Sequence, residues 1–249
     1  MGSLSTSLAS SEKENGLAKQ RVLVVAAHPD DEVLGVGASL AVWARTGIEA
    51  GVLLLGEGVR SRGSSEADTP SAVAALRDAA SRAASILDVE LLGILRFPDN
   101  AFDSVPLLDI VWEVEAVVSE FRPNAIYTHH AGDLNIDHSL TCRAVLTATR
   151  PVERGVPDLY SFEVRSSTDW SDPLRTVAAF RPNVWQVLDA SAVGAKHEAL
   201  AAYSSEMRPW PHSRSHEAVD ALLRHRGAQV HSDAAEAFEL LRASRNAPS

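Results

Sequence analysis

Four short apolar runs, each followed by a segment of helical periodicity, constrain the fold of this chain more than any other feature of its sequence. The predicted strands cover residues 21–27, 50–55, 91–95 and 125–128, and the helices that follow them cover residues 33–45, 70–87, 106–121 and 138–149. Strands that alternate with helices form parallel sheets, because right-handed crossover connections return each strand to the same direction. We therefore predict an α/β fold, with a Rossmann-like, mostly parallel sheet that has helices on both faces.

The C-terminal part of the chain follows this alternation less regularly. We predict strands near 159–164 and 184–188 and helices near 191–204, 215–228 and 234–243. No internal repeat or linker divides the sequence, so residues 21–249 are expected to form a single domain with irregular C-terminal additions. Residues 1–20 are rich in Ser, Glu and Lys and are expected to form a disordered tail.

Composition and charge argue against several classes of protein. A formal net charge of −10 over 249 residues does not provide the basic field that binds nucleic acid or an anionic membrane. No apolar run is long enough for a transmembrane helix, and the N-terminus lacks the apolar core of a signal peptide. With Cys142 as its single cysteine, the chain cannot form an internal disulfide. We expect a cytoplasmic protein that binds neither nucleic acid nor a membrane, and its sequence is compatible with a homo-oligomer.

The segment Ala-His-Pro-Asp-Asp-Glu at residues 27–32 carries the strongest chemical signal, because it directly follows the first predicted strand. In parallel sheets ligands bind beyond the carboxyl ends of the strands. A neutral imidazole and a carboxylate oxygen can hold Zn²⁺ there and leave positions for water, whose pKa the ion lowers to about 7. A second carboxylate beside the metal can accept the proton of that water. His28, Asp30 and Asp31 are therefore candidates for a hydrolytic zinc site.

Two other interpretations of this segment carry less weight. The three acidic residues 30–32 could simply complement the dipole of the following helix, but this leaves His28 and Pro29 unexplained. Gly35 and Gly37 form part of a dinucleotide-binding fingerprint, but its third glycine is replaced by Leu40. Three consecutive acids would also repel a pyrophosphate, so the metal site is favoured.

A further metal ligand should come from another strand end. The segment after the fourth predicted strand contains His129, His130 and His138 within ten residues, and Asp137 precedes the last of these. A lone loop histidine is more often a surface residue than a ligand, but three histidines at the edge that also carries His28 favour metal binding. Asp137 could orient an imidazole by accepting a hydrogen bond from its second nitrogen.

Taken together, these residues resemble the PIG-L/LmbE family of zinc-dependent N-deacetylases. The family's A-H-P-D-D-E motif matches residue for residue at 27–32, and its later H-x-D-H-like motif matches in part at Asn135-Ile136-Asp137-His138. The likeness extends from about Arg21 to about Arg242 and includes Phe97-Pro98-Asp99-Asn100. The resemblance implies a Rossmann-like domain that hydrolyses the N-acyl group, commonly acetyl, of an amino sugar, glycoside or related small molecule.

The resemblance also implies a role for individual residues. It makes His28, Asp31 and His138 the ligands of zinc or another divalent metal, Asp30 the general base and Asp137 a residue that supports a metal ligand. Weaker motifs imply that Glu57, Arg77 and Asp99 contact the substrate. His129 and His130, which follow the fourth predicted strand, are further candidates for this role.

Asn135 departs from the family pattern, which often has histidine at this position. An asparagine can donate a hydrogen bond to an oxyanion, but it cannot protonate the leaving amine. His129 or His130 could take over that step, or Asp30 could return the proton that it removed from water. We favour proton return by Asp30, with Asn135 assisting.

Two alternatives remain at this point. An amidase of the same family could cleave a larger acyl group or a thiol conjugate, and a catalytically silent domain could use the same fold to bind a ligand. The proline-rich segment 207–215 could either cover the cleft and contact the substrate or form a surface loop that Trp210 pins to the domain.

Overall fold

A computed structural model describes residues 20–58, 69–152, 157–171 and 179–244. All but one residue of the predicted tail therefore lie outside the described residues. The strands are β1 Arg21–Ala26, β2 Glu49–Gly56, β3 Glu90–Phe97, β4 Ala125–His129, β5 Asp158–Phe162, β6 Val184–Val187 and β7 Ala235–Arg242. The helices are α1 Asp31–Arg45, α2 Thr69–Leu87, α3 Leu107–Phe121, α4 Ile136–Ala148, α5 Arg165–Thr168, α6 Ala190–Ala202 and α7 His216–Ala228.

The seven described strands form a single sheet in the order β3-β2-β1-β4-β5-β7-β6. β1 to β5 are parallel, and β7 pairs antiparallel with both β5 and β6. The chain runs outward from β1 in one direction through β2 and β3, and in the other through β4 and β5. This change of direction between β1 and β4 is the topological switch point at which open α/β sheets bind ligands. The predicted fold class is confirmed.

The central strand is buried on both faces, as its continuous β-branched sequence predicts. Val22, Val24 and Ala26 contribute to one hydrophobic cluster, together with residues of α1, α2 and α6. Leu23 and Val25 alternate with them and contribute to a second cluster with residues of α3 and α4. Helices therefore cover both faces of the sheet. A site must then lie beyond the amino or the carboxyl ends of the strands.

The predicted helix at 234–243 is wrong, because this segment forms strand β7. Its Ala, Glu and Leu residues favour a helix when considered alone. In the sheet, however, Phe238 is buried in the core and Glu236 is buried against α1, while the backbone pairs with strands on both sides. Tertiary pairing thus overrides local helix propensity in this segment.

A buried ion pair fastens the middle of α1 to the C-terminal part of the domain. Lys196 Nζ lies 2.6 Å from Glu236 Oε1 and also donates to the carbonyl oxygen of Leu34 at 2.7 Å. Glu236 in turn accepts from the backbone N–H groups of Ala38 and Ser39. Leu34 O and Ala38 N are the two groups that a regular helix pairs with each other. Charged side chains from α6 and β7 therefore reach the backbone of the helix that begins at the metal-site motif.

Gly35 lies inside α1 and allows close packing, since a Cβ atom at this position would lie 2.3 Å from Cδ2 of Phe162 in β5.

Among the described residues, no helix is both long and apolar enough to cross a membrane.

We predict that Gly35→Ala destabilises the protein by about 1–3 kcal/mol, because the added methyl group must displace the Phe162 ring. Gly194→Ala in α6 is the matched control, because no neighbouring side chain lies within 4 Å of the place that its added methyl group would take. That variant should gain up to about 1 kcal/mol from helix propensity. Urea denaturation of the three proteins measures both effects. Equal midpoints for Gly35→Ala and wild type would contradict the close contact between α1 and β5.

Candidate active site

The segment after β1 turns sharply before α1 begins. His28 follows the strand, and Asp31 is the first residue of α1. Between them Asp30 has φ 107° and ψ −30°, a left-handed conformation that is strained for any residue with a side chain. On the other side of the switch point, His138 lies in the first turn of α4. The fold therefore brings two distant segments to one end of the sheet.

Three buried side chains converge there. Oδ2 of Asp31 lies 3.3 Å from Nδ1 of His28 and 3.3 Å from Nε2 of His138. One ligand atom from each of the three residues lies within 4.8 Å of the others. Oδ1 of Asp31 and Nε2 of His138 are buried and have no hydrogen-bond partner in the described part of the chain. Two imidazoles and one carboxylate are the donor set of catalytic zinc sites, and unsatisfied buried atoms need such a partner. The residues present therefore fit a divalent metal ion.

Two further carboxylates fix the orientation of the imidazoles. Oδ2 of Asp137 lies 2.9 Å from Nε2 of His28 and accepts a backbone hydrogen bond from Asn100, while its Oδ1 accepts one from Phe102. Oδ2 of Asp133 lies 2.9 Å from Nδ1 of His138. Each carboxylate occupies one ring nitrogen, which leaves Nδ1 of His28 and Nε2 of His138 directed at Asp31. Carboxylates commonly hold metal-binding histidines in this way.

The same carboxylates dominate the electrostatics of the site. Burial lowers the pKa of His28, but hydrogen bonds to Asp137 and Asp31 outweigh it and raise the pKa to about 10. Burial likewise opposes the charge on His138, and the nearby Asp31 and Asp133 raise its pKa to about 9. The acidic groups thus favour positive charge at both rings. A divalent cation supplies the same compensation.

Asp30, the predicted general base, is 2% exposed and forms an ion pair that the sequence did not predict. Nη1 of Arg214 donates to Oδ2 of Asp30 at 2.8 Å. Burial raises the pKa of Asp30 well above its usual range; Arg214 opposes the rise, and the negative charge of Asp31 adds to it. Among the described residues, Asp30 is the acid of the motif that pairs with an arginine from the C-terminal part of the chain.

Asn135 caps helix α4 at the border of the cleft. Its Oδ1 accepts from the backbone N–H of Asp137 at 2.9 Å, and its Nδ2 donates to Oδ1 of Asn100 at 3.1 Å. An amide nitrogen carries two hydrogens, and the described residues provide an acceptor for one of those on Asn135.

The two neighbouring histidines are held by protein groups. His129 is fully buried, accepts from the backbone N–H of Ala27 through Nε2, and stacks on His138 with ring centroids 3.8 Å apart. Nδ1 of His130 lies 2.8 Å from Oε2 of Glu239 in β7. These contacts favour structural roles, and substrate binding by either ring stays a prediction.

The other predicted substrate contacts fall into two places. Asp99 is buried beside the three converging side chains, with Oδ1 3.2 Å from Nε2 of His28. Nη2 of Arg77 donates to Oε1 of Glu57 at 3.1 Å and to the carbonyl oxygen of Ile94 at 2.8 Å. Glu57 immediately follows β2 and is thus at the correct edge of the sheet, but its role toward a substrate stays a prediction.

Three consecutive hydroxyl groups of α5 support the site, and no motif or periodicity in the sequence pointed to them. Oγ of Ser166 accepts from Nε of Arg214 at 3.0 Å, and Oγ of Ser167 accepts from the backbone N–H of Asn135 at 2.9 Å. Oγ1 of Thr168 donates to Oδ1 of Asp133 at 2.6 Å. The short helix therefore holds the partner of Asp30, the cap of α4 and the carboxylate behind His138.

Two adjoining cavities open next to the cluster and share Ser166, Trp170 and Arg214 in their walls. The inner cavity, of about 410 Å³, reaches His138 and Asn135. The outer cavity, of about 210 Å³, is completed by the remaining lining residues Glu206, Arg208 and His212.

The segment 207–215 contributes three of these lining residues, which supports its predicted role at the cleft. Trp210 is 61% exposed and does not pin the segment to the domain.

Comparison with known proteins adds a family to this geometry. Residues 23–149 match the family model of PIG-L, GlcNAc-PI de-N-acetylase. The chain is 26% identical over 203 residues to the Escherichia coli K12 protein YaiS, described as an uncharacterised deacetylase, and the match covers 80% of this chain and 95% of YaiS.

Solved structures share the fold. N,N'-diacetylchitobiose deacetylase from Pyrococcus horikoshii superposes with a TM-score of 0.71 at 15% identity, covering 90% of this chain and 84% of that one. GalB, the 4-carboxy-2-hydroxymuconate hydratase from Pseudomonas putida KT2440, superposes with a TM-score of 0.72 at 21% identity, covering 92% of this chain and all of that one. A deacetylase and a hydratase on one fold show that the fold alone does not decide the reaction. The family model, in contrast, matches the sequence itself over more than half of the chain. This chain therefore belongs to the PIG-L deacetylase family.

Proposed function

We propose that this protein is a zinc-dependent hydrolase that removes an acyl group, with acetyl as the first candidate, from the amide nitrogen of an amino sugar or related small molecule. It would act on carbon–nitrogen bonds other than peptide bonds. One observation carries the proposal: the ligand atoms of His28, Asp31 and His138 converge, with buried atoms left unsatisfied, and the buried Asp30 precedes Asp31 in the same turn.

In this proposal Nδ1 of His28, Nε2 of His138 and a carboxylate oxygen of Asp31 hold the ion. When bound, zinc polarises the amide carbonyl and makes water a stronger acid. Asp133 and Asp137 keep the two imidazoles in the tautomers that direct these nitrogens at the ion, because each accepts a hydrogen bond from the opposite ring nitrogen.

Asp30 performs the proton transfers. Its carboxylate accepts a proton from the attacking water as the water oxygen bonds to the carbonyl carbon. The carboxylic acid then gives this proton to the amide nitrogen as the C–N bond breaks, which yields a carboxylic acid and a free amine. Burial raises the pKa of Asp30, and a raised pKa suits a group that must both accept and return a proton near neutral pH.

Asn135 assists without transferring a proton. Its second amide N–H faces no protein partner among the described residues, and its side chain borders the inner cavity. It can donate to the oxyanion of the tetrahedral intermediate, a contribution of about 3 kcal/mol when a comparable donor is removed from other enzymes.

A larger acyl group is a second candidate, and the walls of the inner cavity favour it. Leu134, Ile136 and Trp170 line this cavity and are 58%, 44% and 53% exposed. When large apolar side chains that border a cleft pack against apolar parts of a ligand, surface is removed from water and binding is stabilised. The apolar acyl chain or aglycone of a substrate would bury them.

We expect Asp30→Asn to lower kcat by about 10²–10⁴-fold, because the amide cannot accept the proton of water. Zinc content should stay at the wild-type level, since Asp30 is not a proposed ligand. Steady-state kinetics and elemental analysis of the same preparations measure both quantities. Near-normal kcat in Asp30→Asn would remove Asp30 from the mechanism.

Asp133→Ala and Asp137→Ala should each weaken zinc binding by about 10–100-fold, because a histidine ligand loses the carboxylate that orients it. Glu217→Ala, which removes an exposed carboxylate from α7, is the control and should bind zinc as wild type does. Competition with a chelating dye gives the affinities. Unchanged affinity in both aspartate variants would argue against His28 and His138 as ligands.

A panel of one N-acylated amino sugar with acetyl, hexanoyl and decanoyl groups separates the two substrate candidates. If long acyl chains lie against the apolar rim, kcat/KM should rise with chain length, and Trp170→Ala should remove most of this rise while leaving the acetyl substrate unaffected. A flat or falling profile would favour acetyl as the group removed.

A further inference from the structure

Among the described residues, Arg214 is the arginine that contacts Asp30, the proposed general base. It lies 184 positions after Asp30 in the sequence, yet Nη1 donates to Oδ2 of Asp30 at 2.8 Å. On its other side Nε donates to Oγ of Ser166 at 3.0 Å. The guanidinium is thus held through two of its nitrogens, and the side chain borders both cavities.

The carboxylate of Asp30 needs such a partner. Its backbone is in the left-handed region, and the carboxylates of Asp31 and Glu32 are its immediate neighbours. A strained backbone conformation of this kind is stable only where contacts with surrounding residues hold it in place. The backbone N–H of Asp30 donates to Oε2 of Glu32, but the side chain has Arg214 as its hydrogen-bond donor among the described residues.

The contact is also one-sided. Arg214 occupies Oδ2 of Asp30, and no described residue hydrogen-bonds to Oδ1. A guanidinium that gripped both oxygens would block the base, whereas this arrangement keeps one oxygen bound and the other open. Arginine stays charged at all working pH values and so does not compete for the proton.

We infer that Arg214 is a positioning residue for the general base: it fixes the carboxylate of Asp30 through Oδ2 so that Oδ1 faces the attacking water, and Ser166 braces it. This inference rests on the proposed function for the reaction, but the orientation of Asp30 can be observed without turnover.

The main test compares Arg214→Ala with wild type and with Arg45→Ala. Arg45 forms another arginine–aspartate pair, with Asp189 at 3.0 Å, on the exposed end of α1 remote from the cleft. Arg214→Ala should lower kcat by about 10²-fold, the loss expected when a catalytic group is slightly misplaced, with little change in KM. Zinc affinity should be unchanged. Free guanidinium should restore part of kcat in Arg214→Ala and have no such effect on Arg45→Ala.

A second variant covers the case in which Arg214→Ala does not fold. Ser166→Ala removes the brace and keeps the guanidinium, so it should lower kcat in the same direction by a smaller factor. Unchanged kcat in Ser166→Ala and Arg214→Ala, or a rise in KM alone, would overturn the inference. A rise in KM alone would make Arg214 a substrate contact.

Crystal structures of the zinc-loaded variants provide the readout that is independent of activity. In Arg214→Ala the carboxylate of Asp30 should leave its wild-type rotamer or occupy several. If it keeps that rotamer, the inference fails even for an active enzyme. Conversely, a wild-type protein that holds zinc but cleaves no member of the acyl panel would refute the proposed function, and the rotamer of Asp30 would still test the role of Arg214.

Discussion

The convergence of two imidazoles on the carboxylate of Asp31 is the interaction on which the site depends. Asp31 is fully buried, and one of its oxygens has no partner, so its negative charge must be balanced locally. His28 and His138 reach it from either side of the point where the sheet changes direction. The strand order, the turn at Asp30 and the position at which α4 begins together bring these three side chains into contact.

The sequence predicted those parts of the molecule that depend on local pattern. The continuous apolar run of β1 and the periodicity of α1 identified the parallel half of the sheet, and the motif at 27–32 located the edge that carries the chemistry. β7 was missed because its residues favour a helix when isolated, and only its pairing with β5 and β6 makes it a strand. Pairing over long distances leaves no periodic signal in one segment.

The supporting residues of the site were missed for the same reason. Asp133 stood in a segment that was already of interest, but nothing in the sequence distinguishes it from any loop carboxylate until it contacts His138. Arg214 lies in the segment 207–215 that was considered as a cover of the cleft, but nothing in the sequence singled out this residue or Ser166. Their importance arises from hydrogen bonds across the cleft. Motifs identify atoms that do chemistry, whereas the groups that orient those atoms can come from any segment that the fold brings near.

The ion pair between Lys196 and Glu236 has a consequence for how the site is distributed along the sequence. Every proposed metal ligand lies before residue 149, where the match to the family model also ends. Yet the helix that begins at Asp31 accepts a hydrogen bond from a side chain of α6 and donates one to a side chain of β7, almost at the end of the described chain. The residues proposed to do the chemistry therefore lie in one part of the sequence, and part of what holds the first helix in place lies in another.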